Sequence, residues 1–331
     1  MLLPLPATTT QRLLPSLTRL DSLVVYIVAS LFATFLVSFL FTKTEYKFPF
    51  PHVVNCIQLA IAWLIASKTP IASLLPSSPS SSLPTATTTT TPLQTTRLLF
   101  PVTAAYIGWL VVNPLFLIHV PINAYQIFTG LALPLSHILI STSFFLKKPT
   151  QSSSSSLTVD TLVACGLYYF GFWLSSEGFG KISWQGTFLG LFNAFFLALY
   201  GVLAKKSLIS VDPWTLVRHN SGWGCLVMIP FGIYNWVTWP GPVPSFVDEL
   251  GFWFQMVLTG SIGLGLQMIT IVLIKLSSPI MQTSAAGVKV CLQSVLAAAI
   301  LGNPLSKLNL FGTAIALSGA CYSIYHELRK I

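Results

Sequence analysis

Apolar runs close to 20 residues long recur along the whole chain, and no other sequence feature restricts its fold as tightly. As a helix, such a run rises 1.5 Å per residue and crosses the roughly 30 Å hydrocarbon core of a bilayer. The runs fall at Ser22–Phe41, Phe50–Ser67, Leu98–Ile118, Ala124–Leu146, Val159–Ser176, Gly186–Ala204, Trp214–Val237, Phe246–Ile274, Pro279–Leu301 and Leu305–Tyr325. Only 8% of the residues are Asp, Glu, Lys or Arg, where a soluble domain carries roughly a quarter. Lipid tails solvate apolar side chains on the outside of a protein and remove the need for a polar surface. The formal charge of +9 does not point to nucleic acid, because the basic residues are scattered rather than gathered on one face.

The basic residues instead set an orientation. With the N-terminus in the cytosol, eleven Lys and Arg fall in cytosolic segments. Four fall on the other side: Lys43, Lys47, Lys181 and Lys307. That bias predicts ten helices with both termini cytosolic. The first apolar run has the length of a span and no small-residue cleavage site, so it reads as an uncleaved first helix. The segment 68–97 is rich in Ser, Thr and Pro, and Gln151–Ser156 is a serine tract; neither can bury a core, so both read as flexible loops. Five cysteines lie in apolar stretches with no CxxC pair, which indicates neither a disulfide framework nor a zinc site.

Ten helices divide into two sets of five, and an odd number per half makes the halves insert with opposite topology. The expected fold is an all-α integral membrane protein of ten transmembrane helices in a 5+5 inverted repeat. Its parts are a cytosolic tail at 1–21, a first repeat at 22–176, a second at 177–325 and a cytosolic tail at 326–331. Pro121-Ile-Asn leading to Thr129-Gly-Leu in the fourth span is similar to Pro279-Ile-Met leading to Ala286-Gly-Val in the ninth.

Charges at membrane depth are the candidates for function. Lys289 lies about ten residues into the ninth span, near mid-membrane. A charge there costs at least about 2.5–3.5 kcal/mol, so it should face a cavity or a partner. No span centre holds Asp or Glu. A cationic site without a carboxylate suits an anionic ligand that brings the missing counter-charge. Arg218, four residues into the seventh span, is either an interfacial arginine or a second anion contact. His219 and Asn220 follow it, and Gln282, Thr283 and Ser284 precede Lys289 by one to two turns as binding candidates. His137, mid-way along the fourth span, reads as a packing residue. Gly260-x-x-Gly263-x-Gly265 sits in a membrane helix with no preceding strand, so it reads as close helix packing or a kink, not a dinucleotide loop. No histidine–carboxylate cluster, G-x-S-x-G or metal-ligand spacing is present, so the chain is not expected to be an enzyme or to carry a cofactor or metal.

Three stretches carry a family resemblance. They are Gly171-Phe-Trp-Leu174 with Glu177-Gly and Ser183-Trp-Gln-Gly186-Thr; Thr215 to Pro230, with His219-Asn220 and Cys225; and Ser278-Pro279 with Gly287-Val-Lys289 and Gln293-Ser-Val-Leu-Ala297. Together they resemble the nucleotide-sugar transporters of the drug/metabolite transporter superfamily, nearest to the GDP-fucose branch, over roughly residues 120–325. The resemblance implies a Golgi or endoplasmic reticulum membrane. It also implies alternating access, with a cytosolic nucleotide-sugar exchanged for a lumenal nucleoside monophosphate and membrane lipid around the chain. A homodimer is left open and nucleic acid is not a partner. Lys289 matches the family's ninth-helix lysine, a phosphate ligand, and Asn220 a seventh-helix asparagine. Tyr125 and Thr129 fall in the matching fourth-helix segment, where these relatives carry an arginine at the place of Thr129; Arg218 is the candidate to compensate for it. Two rivals stand beside this reading, a carrier of smaller phosphate esters like the plastid phosphate translocators and a non-transporting membrane scaffold.

Overall fold

Helices begin and end where the local chemistry allows. Ser183 accepts a hydrogen bond from the Gly186 amide at 3.0 Å, and Asp212 accepts one from the Trp214 amide at 2.9 Å with Pro213 in the first turn. Ser278 and Ser306 accept from the amides of Met281 and Asn309, each at 3.1 Å. Each side chain satisfies a backbone donor that the first helical turn leaves without a partner. The computed structural model describes residues 20–36, 51–68, 92–120, 128–142, 159–175, 183–238, 249–301 and 306–329.

Among the described residues are ten helices. They are α1 (Leu20–Leu36), α2 (Pro51–Lys68), α3 (Pro92–His119), α4 (Phe128–Ser141), α5 (Val159–Ser175), α6 (Trp184–Ser207), α7 (Pro213–Val237), α8 (Leu250–Leu276), α9 (Pro279–Leu301) and α10 (Lys307–Arg329). Stretches of four of them, in α3, α6, α8 and α10, are long and apolar enough to cross a membrane. α3 begins at Pro92, inside the segment expected to be a flexible loop. A proline serves as well at a helix start as in a loop, since its missing amide hydrogen would be unpaired there anyway.

The outer surface is apolar. Phe32, Phe100 and Phe254 are 66%, 67% and 69% exposed, as in a bundle solvated by lipid. Inside, the apolar side chains form two large cores. One joins α2, α3, α6, α7 and α8 through residues such as Leu99, Leu216, Met228 and Ile271. The other joins α1, α4, α5, α9 and α10, with one residue of α8, through Tyr26, Leu133, Phe172, Met281 and Ala316.

The second core contains a very close contact between two helix backbones. α5 lies against α10 with Gly171 facing Ala316 and Gly312, so closely that a Cβ on Gly171 would stand 2.7 Å from the Ala316 Cα and the Gly312 carbonyl oxygen. Small residues let the two backbones meet, and without a hydrophobic force between helices in lipid such contact supplies the attraction. Ser175 closes one end of this seam with hydrogen bonds at 3.0 Å to Asn309 and to Thr313.

The three α8 glycines divide between the close packing expected of them and open space. Gly260 alone packs closely, with Ile61 at 3.2 Å from its notional Cβ; Gly263 and Gly265 have nothing within 4 Å. α8 continues unbroken through all three.

At the end where α6 and α8 finish, the Lys205 ammonium donates to the carbonyls of Ile274, Lys275 and Ser277 at 3.0, 2.8 and 2.7 Å. It thereby satisfies the carbonyls that a helix C-terminus leaves open. Ser278, beside them, donates to Glu327 at 2.8 Å, and the Trp214 indole donates to the Ala66 carbonyl at 3.0 Å. The ends of α2, α6, α8 and α10 are tied to their neighbours by these bonds.

Candidate functional site

A cavity of about 580 Å³ opens between the two cores, with walls from α1, α2, α3, α4, α6, α8 and α9. Lys289 is the one charged side chain among its lining residues, and no Asp or Glu is among them. It is half-buried on α9 and has no hydrogen bond or ion pair among the described residues. Around it the lining carries five side-chain amides: Asn55, Gln58, Gln267, Gln282 and Gln293. Tyr26, Tyr106, Trp109 and Tyr200 add aromatic wall.

The amides differ in what they leave open. Gln58 donates to Thr259 at 2.9 Å, which ties α2 to α8. Gln282 and Tyr26 both line the cavity. Gln267 accepts from Ser221 at 3.2 Å, while its buried amide nitrogen has no partner. An unmet donor in a low-dielectric wall is costly unless something supplies an acceptor. The cavity therefore presents an ammonium without an acceptor, and no Asp or Glu stands among its described lining residues. Chemically it can hold an anion rich in acceptor oxygens.

The sequence candidates scatter around this cavity. Lys289, Gln282 and Thr129 line it. Thr283 is buried beside it, and its hydroxyl is turned back onto the Pro279 and Ile280 carbonyls. Ser284 donates to Ser323 at 2.8 Å and joins α9 to α10 away from the lining. Tyr125 lies outside the described residues. Arg218 is exposed, and neither it nor any other α7 residue is among the lining residues. Asn220 and His219 stand behind the wall. Both are hydrogen-bonded to Thr103 at 3.0 Å, and Asn220 reaches the lining residue Tyr200 at 3.4 Å. His137 is buried in α4.

Residues of the first half were missed. Asn55 and Gln58 share one face of α2 at a spacing of three, a polar pair inside an apolar run. That signal could have been read. Tyr106, Trp109 and Tyr200 gave none, because aromatic residues in apolar helices serve a lipid face as readily as a cavity.

An all-helical bundle with an apolar exterior, around a polar cavity with no Asp or Glu among its described lining residues, is consistent with an integral membrane protein. No family model matches the chain. Curated relatives do. "GDP-fucose transporter 1" of Dictyostelium discoideum is 28% identical over 320 residues, spanning 92% of this chain and 80% of the relative. "GDP-fucose transporter 1" of Mus musculus is 29% identical over 210 residues, and "GDP-fucose transporter, Golgi" of Drosophila melanogaster 28% over 215. Those two alignments cover 62% of this chain and only 55% and 60% of the relatives' own lengths. A solved crystal structure 14% identical in sequence superposes with a TM-score of 0.57, covering 92% of this chain and 98% of that one, a likeness of fold alone. Along 92% of its length the chain is thus similar to a curated GDP-fucose transporter, and over shorter stretches to several more.

Proposed function

We propose that this protein carries a GDP-fucose-like nucleotide-sugar across a Golgi or endoplasmic reticulum membrane, in exchange for a nucleoside monophosphate. The observation that carries the reading is the Lys289 ammonium, the one charged side chain among the lining residues of a cavity with no Asp or Glu among its described lining residues. The diphosphate sits against Lys289 and supplies the charge that the wall lacks. The relatives' names support the substrate class. The volume of about 580 Å³ supports it too, since it falls within the roughly 300–1,000 Å³ of drug-sized ligand pockets. A three-carbon phosphate ester would leave most of that space unfilled.

The transport cycle we infer is alternating access between two inverted five-helix repeats, with ten spans and both termini cytosolic. Part of the helix pairing supports the repeat. Relating each helix to the one five places on maps α5·α10, α2·α7 and α4·α9 onto themselves, and it maps α2·α8 onto α3·α7; all five contacts are present, whereas α9·α10 and α7·α8 have no matching contact of that size among the described helices. The contact of α4 with α6 has its counterpart in α1 against α9, seen in the shared core of Leu23, Tyr26, Ile280 and Met281. On this orientation the Lys205 bonds hold the cytosolic ends together, and Arg218, exposed near the start of α7, stands at the cytosolic mouth.

The test is a proteoliposome uptake panel, with labelled nucleotide-sugars offered outside vesicles preloaded with nucleoside monophosphates. Uptake of GDP-fucose that rises with GMP inside is the expected result. Uptake of triose phosphate in its place, or of nothing in the panel, overturns the reading.

A further inference from the structure

The hydrogen bonds behind the cavity wall run in one direction, and that direction fixes what the wall presents to a ligand. The indole N–H of Trp223 can only donate, and it donates to Nε2 of His219 at 3.2 Å. An imidazole nitrogen that accepts carries no proton, so His219 is neutral with its hydrogen on Nδ1. Nδ1 lies 3.0 Å from the Thr103 hydroxyl and donates to it. Thr103 has one proton, which it gives to the Asn220 carbonyl oxygen at 3.0 Å. The other end of the Asn220 side chain is then the NH2 group, and it donates to the Tyr200 hydroxyl oxygen at 3.4 Å. Reversing that amide would put two donors on Thr103 and leave the threonine proton without an acceptor among the described bonds. Thr103 and Asn220 are 4% and 0% exposed, so solvent does not substitute for any of these partners.

The chain ends at the cavity. Tyr200 is one of the lining residues, its ring packed against Tyr106 with centroids 5.4 Å apart. Its oxygen already accepts from Asn220, and its own proton has no acceptor among the described bonds, on the side of the relay that borders the cavity. We propose that Tyr200 is a ligand-binding residue whose hydroxyl proton the relay aims into the cavity, as a neutral donor to an acceptor oxygen of the anionic ligand. Thr103 and Asn220 are positioning residues that act through Tyr200 and touch no ligand. This rests on the anionic-ligand reading above, and it gives α7, which contributes no lining residue, a route to the site.

The experiment compares full-length wild type, Tyr200→Phe, Asn220→Asp and their double variant, with binding of GDP as the readout and thermal melting to confirm folding. Tyr200→Phe removes the donor and weakens binding by roughly 10-fold to 100-fold, the worth of a hydrogen bond to a charged group. Asn220→Asp leaves only acceptors beside the tyrosine, turns its proton away from the cavity and produces a similar loss. The double variant loses no more than either single one, because both remove the same proton. Thr103→Ser keeps the relay and binds within about twofold of wild type, whereas Thr103→Val falls with the others. Multiplying losses in the double variant would mean that Asn220 meets the ligand itself and would overturn the proposal. A ligand-free measurement separates this from failure of the transport reading. The tyrosine doublet in the Raman difference between wild type and Tyr200→Phe reports whether the hydroxyl accepts or donates. An accepting hydroxyl in wild type that becomes a strong donor in Asn220→Asp upholds the relay even if GDP does not bind. A wild-type donor signature unchanged by Asn220→Asp refutes it.

Discussion

The α5–α10 seam and the cavity wall on α8 are both rich in glycine, and they use it in opposite ways. At the seam, Gly171, Gly312 and Gly319 leave no room for a side chain, because the partner helix backbone occupies the space a Cβ would take. On α8, Gly263 and Gly265 have open space around them, and Gly263 borders the cavity. The seam is held by backbone contact; the wall is polar and carries Lys289 without a hydrogen bond or ion pair among the described residues. The difference separates what the membrane fold requires from what a ligand requires. Close contact of small residues supplies attraction between helices in lipid. An unfilled polar cavity lowers stability and is sustained by the tight packing elsewhere.

The comparison can be broken first at the seam. Gly171→Leu forces a side chain into the α10 backbone and should cost about 3 kcal/mol or more. The measurement is melting temperature and yield of folded protein in detergent; an unchanged melting temperature would mean that the helices are not in contact as described. Lys289→Met removes the cavity's charge while keeping an apolar stem of similar length. GDP binding should fall about 100-fold, or roughly 2.7 kcal/mol, while the melting temperature of the ligand-free protein holds or rises, because an unpaired charge has left the interior. Unaltered binding would take the lysine out of the site. The smallest effect is expected at Gly265→Ala. Its Cβ meets open space, and alanine is favoured over glycine in a helix by up to about 1 kcal/mol. A slight rise in melting temperature fits; a fall of the size expected at Gly171 would erase the distinction between the two glycine sets.

Much of the fold was legible. The ten apolar runs correspond in order to the ten helices, because burying a backbone in lipid leaves it only its own hydrogen bonds to make. The ends were less legible: α3 starts six residues before the apolar run does, since Pro92 and the polar residues after it lie in a helix without being hydrophobic. At the site, Lys289 stood out on the chain as a charge with no acid near it. Gln267 was one polar residue among several, and its open donor depends on Ser221 taking the other end of its amide. Asn220 and Arg218 are neighbours in sequence, yet one is wholly buried behind the wall and the other exposed.

What the sequence determined by itself was the solvent and the charge of the candidate site: the length and apolarity of its runs call for lipid, and the cation at bilayer depth has no carboxylate in any span centre. Which polar groups surround that cation with donors to spare was decided only by tertiary structure. A side chain's hydrogen bonds are a property of its neighbours in space, and each donor bound to a protein partner is one fewer for the ligand. Thr283, Ser284 and Asn220 have their hydrogen bonds inside the protein, while Lys289 has none among the described residues.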